Sequence, residues 1–283
     1  MRATSCAVCL LAVGIGVALA DEIPSTTQQH RSYFSLPRIA SYPYVWREDV
    51  GAKHLVAIGT LHSNDPHAPM YARLEKELQQ ARPEVVIHEA LVPPDLLTDP
   101  LTEAIERAAD LGFTSQLATK LGARLRSGDA PIRPEIEELL RRHSAQEVFV
   151  FLVAQRHIGN DRNPDAASLA HDYPSFVRDY LEGNGFPMRD EWRTWDGFQK
   201  AFRSLTGRPF SATTWNAGRL MNPQKYTGPV SDVERSSCEI RDRYLVEAIR
   251  AELRQHDRVV VVFGAAHIQA IEPELLKLLS PNS

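Results

Sequence analysis

Two turns of the form Gly-x-x-His, Gly59-Thr60-Leu61-His62 and Gly264-Ala265-Ala266-His267, each close a short apolar run. The first run is His54-Leu55-Val56-Ala57-Ile58, the second Val259-Val260-Val261-Val262-Phe263. With 15 Gly and 10 His in 283 residues, chance supplies about half a match, so one alone says nothing. Two, each ending a buried-strand pattern, say more. A carboxylate, Glu89, ends a third run, Glu84-Val85-Val86-Ile87-His88-Glu89. Two imidazoles and a carboxylate that leave a position open for water are a donor set suited to catalytic zinc or a similar divalent ion. The plainer alternative is that each Gly opens a tight turn, each His caps or packs at a helix start, and Glu89 is a cap. His67, in the polar loop after His62, is a lesser candidate, since a loop His is more often solvated.

These groups can act together only if the chain brings them to one place. Tyr44-Val45-Trp46 reads as an edge strand, with Glu48-Asp49-Val50-Gly51 as a hairpin turn into the strand at His54. A helix is expected from about Met70 to Gln80, with Tyr71, Leu74 and Leu78 at helical spacing and Pro83 beyond its end. Strand, helix and the strand at Glu84 make a βαβ unit, whose strands should run parallel with a right-handed crossover. His62 and Glu89 should then emerge side by side at the carboxyl edge of the sheet, where open α/β sheets bind ligands. The expected class is α/β: a mostly parallel sheet flanked by helices, with a large helical insertion.

That insertion is expected over residues 93–234, between core segments 43–92 and 235–283. Pro93-Pro94 opens it, and helical patterns follow at Leu101/Ile105/Ala108 and Ile136/Leu139/Leu140. Ser144-Ala145-Gln146-Glu147 is a capping box before an apolar helix. Beyond Gly159 the sequence reads as loop-rich, and Trp192, Trp195, Phe198 and Phe202 fall on one helical face, as the core of a helical subdomain or a substrate wall. The insertion should act as a lid. Ser236-Ser237-Cys238-Glu239 reads as a second capping box, opening a helix to about His256. On that helix Asp242 falls among Leu245, Val246, Ile249 and Leu253, which turns it toward the sheet or a site. Arg241 borders the stripe, and an Asp–Arg pair with other partners is the structural alternative.

A net charge of -4 and a pI near 6.2 give no basic face for nucleic acid. Arg2, the charge-free run from Cys6 to Ala20 and the small residues of Ala18-Leu19-Ala20 form a signal peptide, 1–20. The mature chain should start near Asp21 with an extended lead-in, 21–42, and be exported to the periplasm or secreted, without a membrane span after cleavage. Cys6 and Cys9 fall inside the leader. Cys238 alone remains, and the fold must hold by its core. There is no His-Glu-x-x-His pair, no Gly-x-Ser-x-Gly elbow and no phosphate-cradling Gly loop.

The two Gly-x-x-His turns, Glu89 and Arg241-Asp242-Arg243-Tyr244 resemble the TraB/PrgY–GumN–Tiki family, related to erythromycin esterase and ChaN-like proteins. The last segment is similar to that group's Arg-Asp-x-Tyr, though Ile240 stands where a glutamate is often seen. The resemblance covers roughly residues 53–92 and 235–275. It implies an α/β sheet with a helical insertion and metal-dependent, peptidase-like hydrolysis. His62, Glu89 and His267 would hold a divalent ion of zinc, manganese or cobalt type, with Arg241 and Asp242 in the catalytic set. The substrate would be a peptide or small molecule. The alternatives are a haem- or metal-binding protein without turnover, as in ChaN-like relatives, and a metal-free esterase-like hydrolase with a His as general base.

Overall fold

The computed structural model describes residues 31–158, 166–210 and 227–279. The expected signal peptide, 1–20, and most of the expected lead-in, 21–42, lie outside them. The chain divides into two units, Ile39–Ser127 with the segment from Ile249 on, and Arg31–Arg38 with Gly128–Ala248.

The first unit carries the sheet. Its strands are β1 (Tyr44–Val50), β2 (Lys53–Thr60), β3 (Val85–His88), β4 (Arg124–Ser127) and β5 (Arg258–Gly264), in the order β1-β2-β5-β3-β4. Only β1 is antiparallel. The fold is therefore α/β with a mostly parallel sheet flanked by helices. Val259 to Phe263 are each 2% exposed or less, as a central parallel strand covered on both faces requires. Val56, Ile58, Val86, Val260 and Val262 alternate onto one face and pack with α1 (Pro69–Ala81) and α2 (Leu101–Lys120).

Three sequence expectations shift here. The strand at His54 extends two residues further, so Gly59 and Thr60 are paired residues of β2 rather than a turn. β5 lies between β2 and β3, so the strands that deliver His62 and Glu89 are not neighbours. Residues 93–127, expected within the insertion, pack with the sheet and contribute α2 and β4. β4 was illegible because Arg124-Leu125-Arg126-Ser127 has one apolar residue and no alternation.

The second unit is helical: α3 (Ile132–Arg142), α4 (Ala145–Leu152), α5 (Ala166–Ser175), α6 (Trp195–Thr206) and most of α7 (Pro229–Leu253), which passes into the first unit. Ser144 caps α4 with both capping-box bonds present. Trp192, Phe198 and Phe202 are buried in this unit's core, with Trp192 stacked on Phe149 at 4.6 Å. That matches the core reading of the aromatic stripe. The stretch expected to be loop-rich carries α5 and a further helical segment, Phe176–Glu182. The Ser236–Glu239 capping box does not open a helix. It lies inside α7, whose first residue is Pro229, and a Ser-x-x-Glu pair caps only where N–H groups lack helical partners. Within the expected lead-in, Tyr33 is buried and opens a single helical turn, Tyr33–Ser35. After β5, α8 (Ala265–Leu278) packs on β2 and β5. No helix among the described residues is long and apolar enough to cross a membrane.

Candidate active site

The two motif glycines are not turn glycines. Neither has a positive φ, so backbone freedom is not why they are glycine. Both permit close approach. A Cβ on Gly59 would stand 2.7 Å from the Cα of Ala265, so the first motif packs directly on the second. A Cβ on Gly264 would stand 3.1 Å from Glu89 Oε1, 3.3 Å from His267 Cδ2 and 3.8 Å from His62 Nε2. Three groups from three parts of the sequence thus surround one point.

This bare point explains how strands that are not neighbours present their residues together. β5 separates β2 from β3, but its last residue, Gly264, has no side chain to keep them apart. His62 Nε2 and Glu89 Oε2 meet at 3.4 Å. Glu89 is fixed from below by the Gly264 N–H, which donates to Oε1 at 2.8 Å. Gly264 is the N-cap of α8, so this carboxylate also sits at a helix N-terminus, where the dipole favours negative charge. His267 lies in the first turn of α8, 8% exposed, its ring edge-on to Phe263 at 5.2 Å.

A fourth residue, not singled out from the sequence, holds His62. Asp110 is buried and accepts from His62 Nδ1 at 2.7 Å and from Thr60 Oγ1 at 2.5 Å. Since a carboxylate only accepts, Nδ1 carries the proton and Nε2 is the nitrogen turned to Glu89. The His62 side chain is 50% exposed, which leaves it reachable from solvent. Its pKa is raised well above the ordinary value, chiefly by the charge of Glu89, with burial opposing and the bond to Asp110 adding to the rise.

Asp110 reaches this position through a break in α2. Ala108 (φ -134, ψ 18) and Ala109 (φ 49, ψ -136) leave helical geometry just before it. Gly112 lets the chain double back, since a Cβ there would collide with the carbonyl of Ala104. A non-glycine residue at such a φ costs roughly 1–3 kcal/mol and marks sites where the surrounding structure imposes a conformation. The helical pattern through Leu101, Ile105 and Ala108 was visible in sequence, but its change of phase at the break hid Asp110. An acid between two alanines and a Leu-Gly was the only available signal.

His88 was passed over in the sequence because it precedes Glu89 in an apolar run. It is fully buried, and among the described residues neither ring nitrogen has a hydrogen-bond partner. Burial lowers its pKa to about 4 and keeps it neutral.

Arg241 and Asp242 belong to the second unit. Arg241 donates to Asp129 through Nε at 2.7 Å and NH2 at 2.9 Å, the pairing that was the structural alternative. Asp242, 1% exposed, accepts from Tyr33 at 2.7 Å. His67 is exposed, and its backbone N–H donates to Asp65. Cys238 is a buried free thiol.

The donor chemistry of His62, Glu89 and His267 fits a divalent ion. Bonds of about 2.0–2.2 Å at a tetrahedral centre set two donor atoms about 3.3 Å apart, close to the observed His62–Glu89 spacing. Asp110 is the carboxylate partner that metal-bound imidazoles ordinarily have behind them. As placed, the three do not make a metal site: among the described residues no group of three or more His, Cys, Asp or Glu stands so that it could hold an ion. No known family model matches the chain, and no curated protein matches it.

Proposed function

We propose that the protein is a metal-dependent hydrolase, peptidase- or amidase-like, whose ion is held by His62, Glu89 and His267 and which acts after export on a peptide or small molecule. The observation that carries the reading is the convergence of these three side chains on the bare point at Gly264. A divalent ion of zinc, manganese or cobalt type bound there supplies a Lewis acid for a carbonyl oxygen and a water of lowered pKa. Asp110 holds Nδ1–H and fixes the ring, so Nε2 is the nitrogen that would take the ion, in exchange for the proton that Glu89 favours there. Glu89 turns Oε2 toward His62 Nε2 while the Gly264 N–H anchors Oε1, so the carboxylate is held in one orientation. The half-exposed ring of His62 leaves a path for substrate. The resemblance to the TraB/PrgY–GumN–Tiki family supports the same chemistry.

The test is metal analysis of protein purified without a His tag, with peptide hydrolysis measured on the same sample. His62→Ala and His267→Ala should each lower metal content and abolish hydrolysis while the circular dichroism spectrum stays that of the wild type. Full metal occupancy in both variants would sink the shared site. Glu89→Gln separates roles, since loss of metal marks a ligand and retained metal with lost turnover marks a general base. Bound metal or haem without turnover would favour a carrier, and turnover indifferent to chelators a metal-free esterase-like hydrolase.

A further inference from the structure

Serine and threonine in a helix often turn the hydroxyl back to the carbonyl four residues earlier. Thr119 in α2 and Thr206 in α6 do so, at 2.8 and 2.9 Å. Ser236, well inside α7, does not. Its Oγ lies 2.7 Å from Nε2 of His143, and among the described residues neither side chain has another hydrogen-bond partner. Ser237, next to it, donates instead to the buried Glu135.

The backbone sets this spacing from both sides. His143 ends α3, its N–H donating to the Leu139 carbonyl at 2.9 Å, and Ser144, the N-cap of α4, follows it directly. Ser236 is held by the regular backbone of α7. All of these residues belong to the second unit. Both side chains are partly exposed, so a small molecule can reach them from solvent. Burial lowers the His143 pKa below its ordinary value, against the charge of Glu147 and with that of Arg142. The imidazole is therefore neutral at neutral pH, with a ring nitrogen free to accept the serine proton. The first N–H groups of α4, at Ala145 and Gln146, take no part in its helical ladder and favour negative charge developing beside His143.

We infer that Ser236 and His143 are a nucleophile–base pair that takes an acyl group from a carboxylic ester. A serine hydroxyl is a weak nucleophile until a base within hydrogen-bond reach removes its proton, and 2.7 Å meets that geometry. His143 Nε2 takes the proton as Oγ attacks the carbonyl carbon. The bond to the leaving alkoxide then breaks, and the alkoxide departs with that proton as an alcohol. A water deprotonated by the same nitrogen releases the acyl group as the acid, and the proton returns to Oγ. The step uses no ion. His62, Glu89 and His267 belong to the first unit, so the inference goes beyond the metal-dependent reading and does not rest on it.

The experiment treats the full chain with an alkyl fluorophosphonate, a stable ester mimic, with and without EDTA. Attack forms an Oγ–P bond and expels fluoride, the hydroxyl proton passing through His143 to water. Tandem mass spectrometry should find one adduct, on Ser236, in both samples. Ser236→Ala should carry none. His143→Gln should label about 10²–10⁴-fold more slowly while keeping the wild-type melting curve. His143→Ala should regain labelling when free imidazole is added, which a merely structural histidine would not allow. No adduct on the wild type, adducts spread over other serines, or a His143→Gln rate equal to the wild type's overturns the inference. Site mapping on the wild type decides the matter even where a variant fails to fold. Labelling that EDTA abolishes would also overturn it, since the pair needs no ion. None of these outcomes changes what zinc content and peptide hydrolysis say of His62, Glu89 and His267.

Discussion

Gly264→Ala adds one methyl group at the centre of the proposed site and little else. The backbone there (φ -55, ψ 132) is open to any residue, so no strain enters through the main chain. As the N-cap of α8, alanine in place of glycine costs about 1 kcal/mol at most. The new Cβ would stand 3.1 Å from Glu89 Oε1 and 3.3 Å from His267 Cδ2. Comfortable separations are about 3.5 Å or more, so both side chains must retreat by a few tenths of an ångström. Metal sites tolerate only about 0.2 Å in their bond lengths, and the methyl itself takes up the space the donors surround. Disturbing the shell around a metal ligand typically costs about 10–100-fold in affinity, or ~1.4–2.8 kcal/mol. Zinc affinity should fall by that factor in a competitive chelator titration, while the melting curve shifts by no more than the N-cap cost. Gly59→Ala supplies the contrast. Its Cβ would press to 2.7 Å on the Cα of Ala265, a backbone atom that cannot turn away, so the fold itself should weaken by about 1–3 kcal/mol or more. Wild-type zinc affinity in Gly264→Ala, measured on folded protein, would show that the point above this glycine is not where the donors act.

Asp110→Asn removes the charge behind His62 and frees its tautomer, so zinc affinity should drop about 10–100-fold with the sheet intact; an unchanged chelator titration would exclude Asp110 as a positioning residue. Ala109→Gly should raise stability by about 1 kcal/mol, since glycine adopts φ 49, ψ -136 without a Cβ clash; thermal melts decide it, and a destabilised variant would contradict the strain. His88 should make the chain acid-sensitive. Its folded pKa is depressed to about 4 from 6.5, so its stabilisation is present above about 6.5 and lost as pH falls toward 4, by about 3 kcal/mol. His62 acts with the opposite sign, its share being present below about 6.5 and fading as pH rises through its raised value. The His88 share is therefore read as the difference between wild type and His88→Leu in urea titrations at each pH, and parallel curves would refute it. Arg241→Ala breaks a mostly buried bidentate pair with Asp129 and should cost about 3 kcal/mol of stability with zinc content unchanged; loss of zinc would instead place Arg241 in the catalytic set.

The elements that delivered the candidate residues were legible because their signals are local. An unbroken Val259–Phe263 run reads as a strand covered on both faces, and Tyr71, Leu74 and Leu78 read as one helical face, whatever lies elsewhere in the chain. Both Gly-x-x-His turns and Glu89 could be marked as strand ends on the same grounds, and so could the parallel sheet they imply. What those patterns do not contain is strand order. Pairing between residues some 170 positions apart depends on which apolar faces find each other after collapse, and the placing of β5 between β2 and β3 leaves no mark in either neighbour.

The function of the glycines changed meaning for the same reason. In sequence each is a residue able to turn the chain. In the fold each is a place where a side chain cannot be, Gly59 because Ala265 lies against it and Gly264 because Glu89, His62 and His267 close around it. Asp110 depended on tertiary structure still more. A helix continued straight through Ala108 would carry it on another face, and only the break at Ala109, with Gly112 folded onto Ala104, turns its carboxylate to His62 and Thr60. Sequence by itself determined the strands at His54, Val85 and Val259, the helix after His62, and which ends carry imidazole and carboxylate, because propensity and periodicity act over a few residues. Tertiary structure alone decided that these ends share one point and that a buried acid orients one of them, because close approach and helix breaks are settled by packing between distant segments.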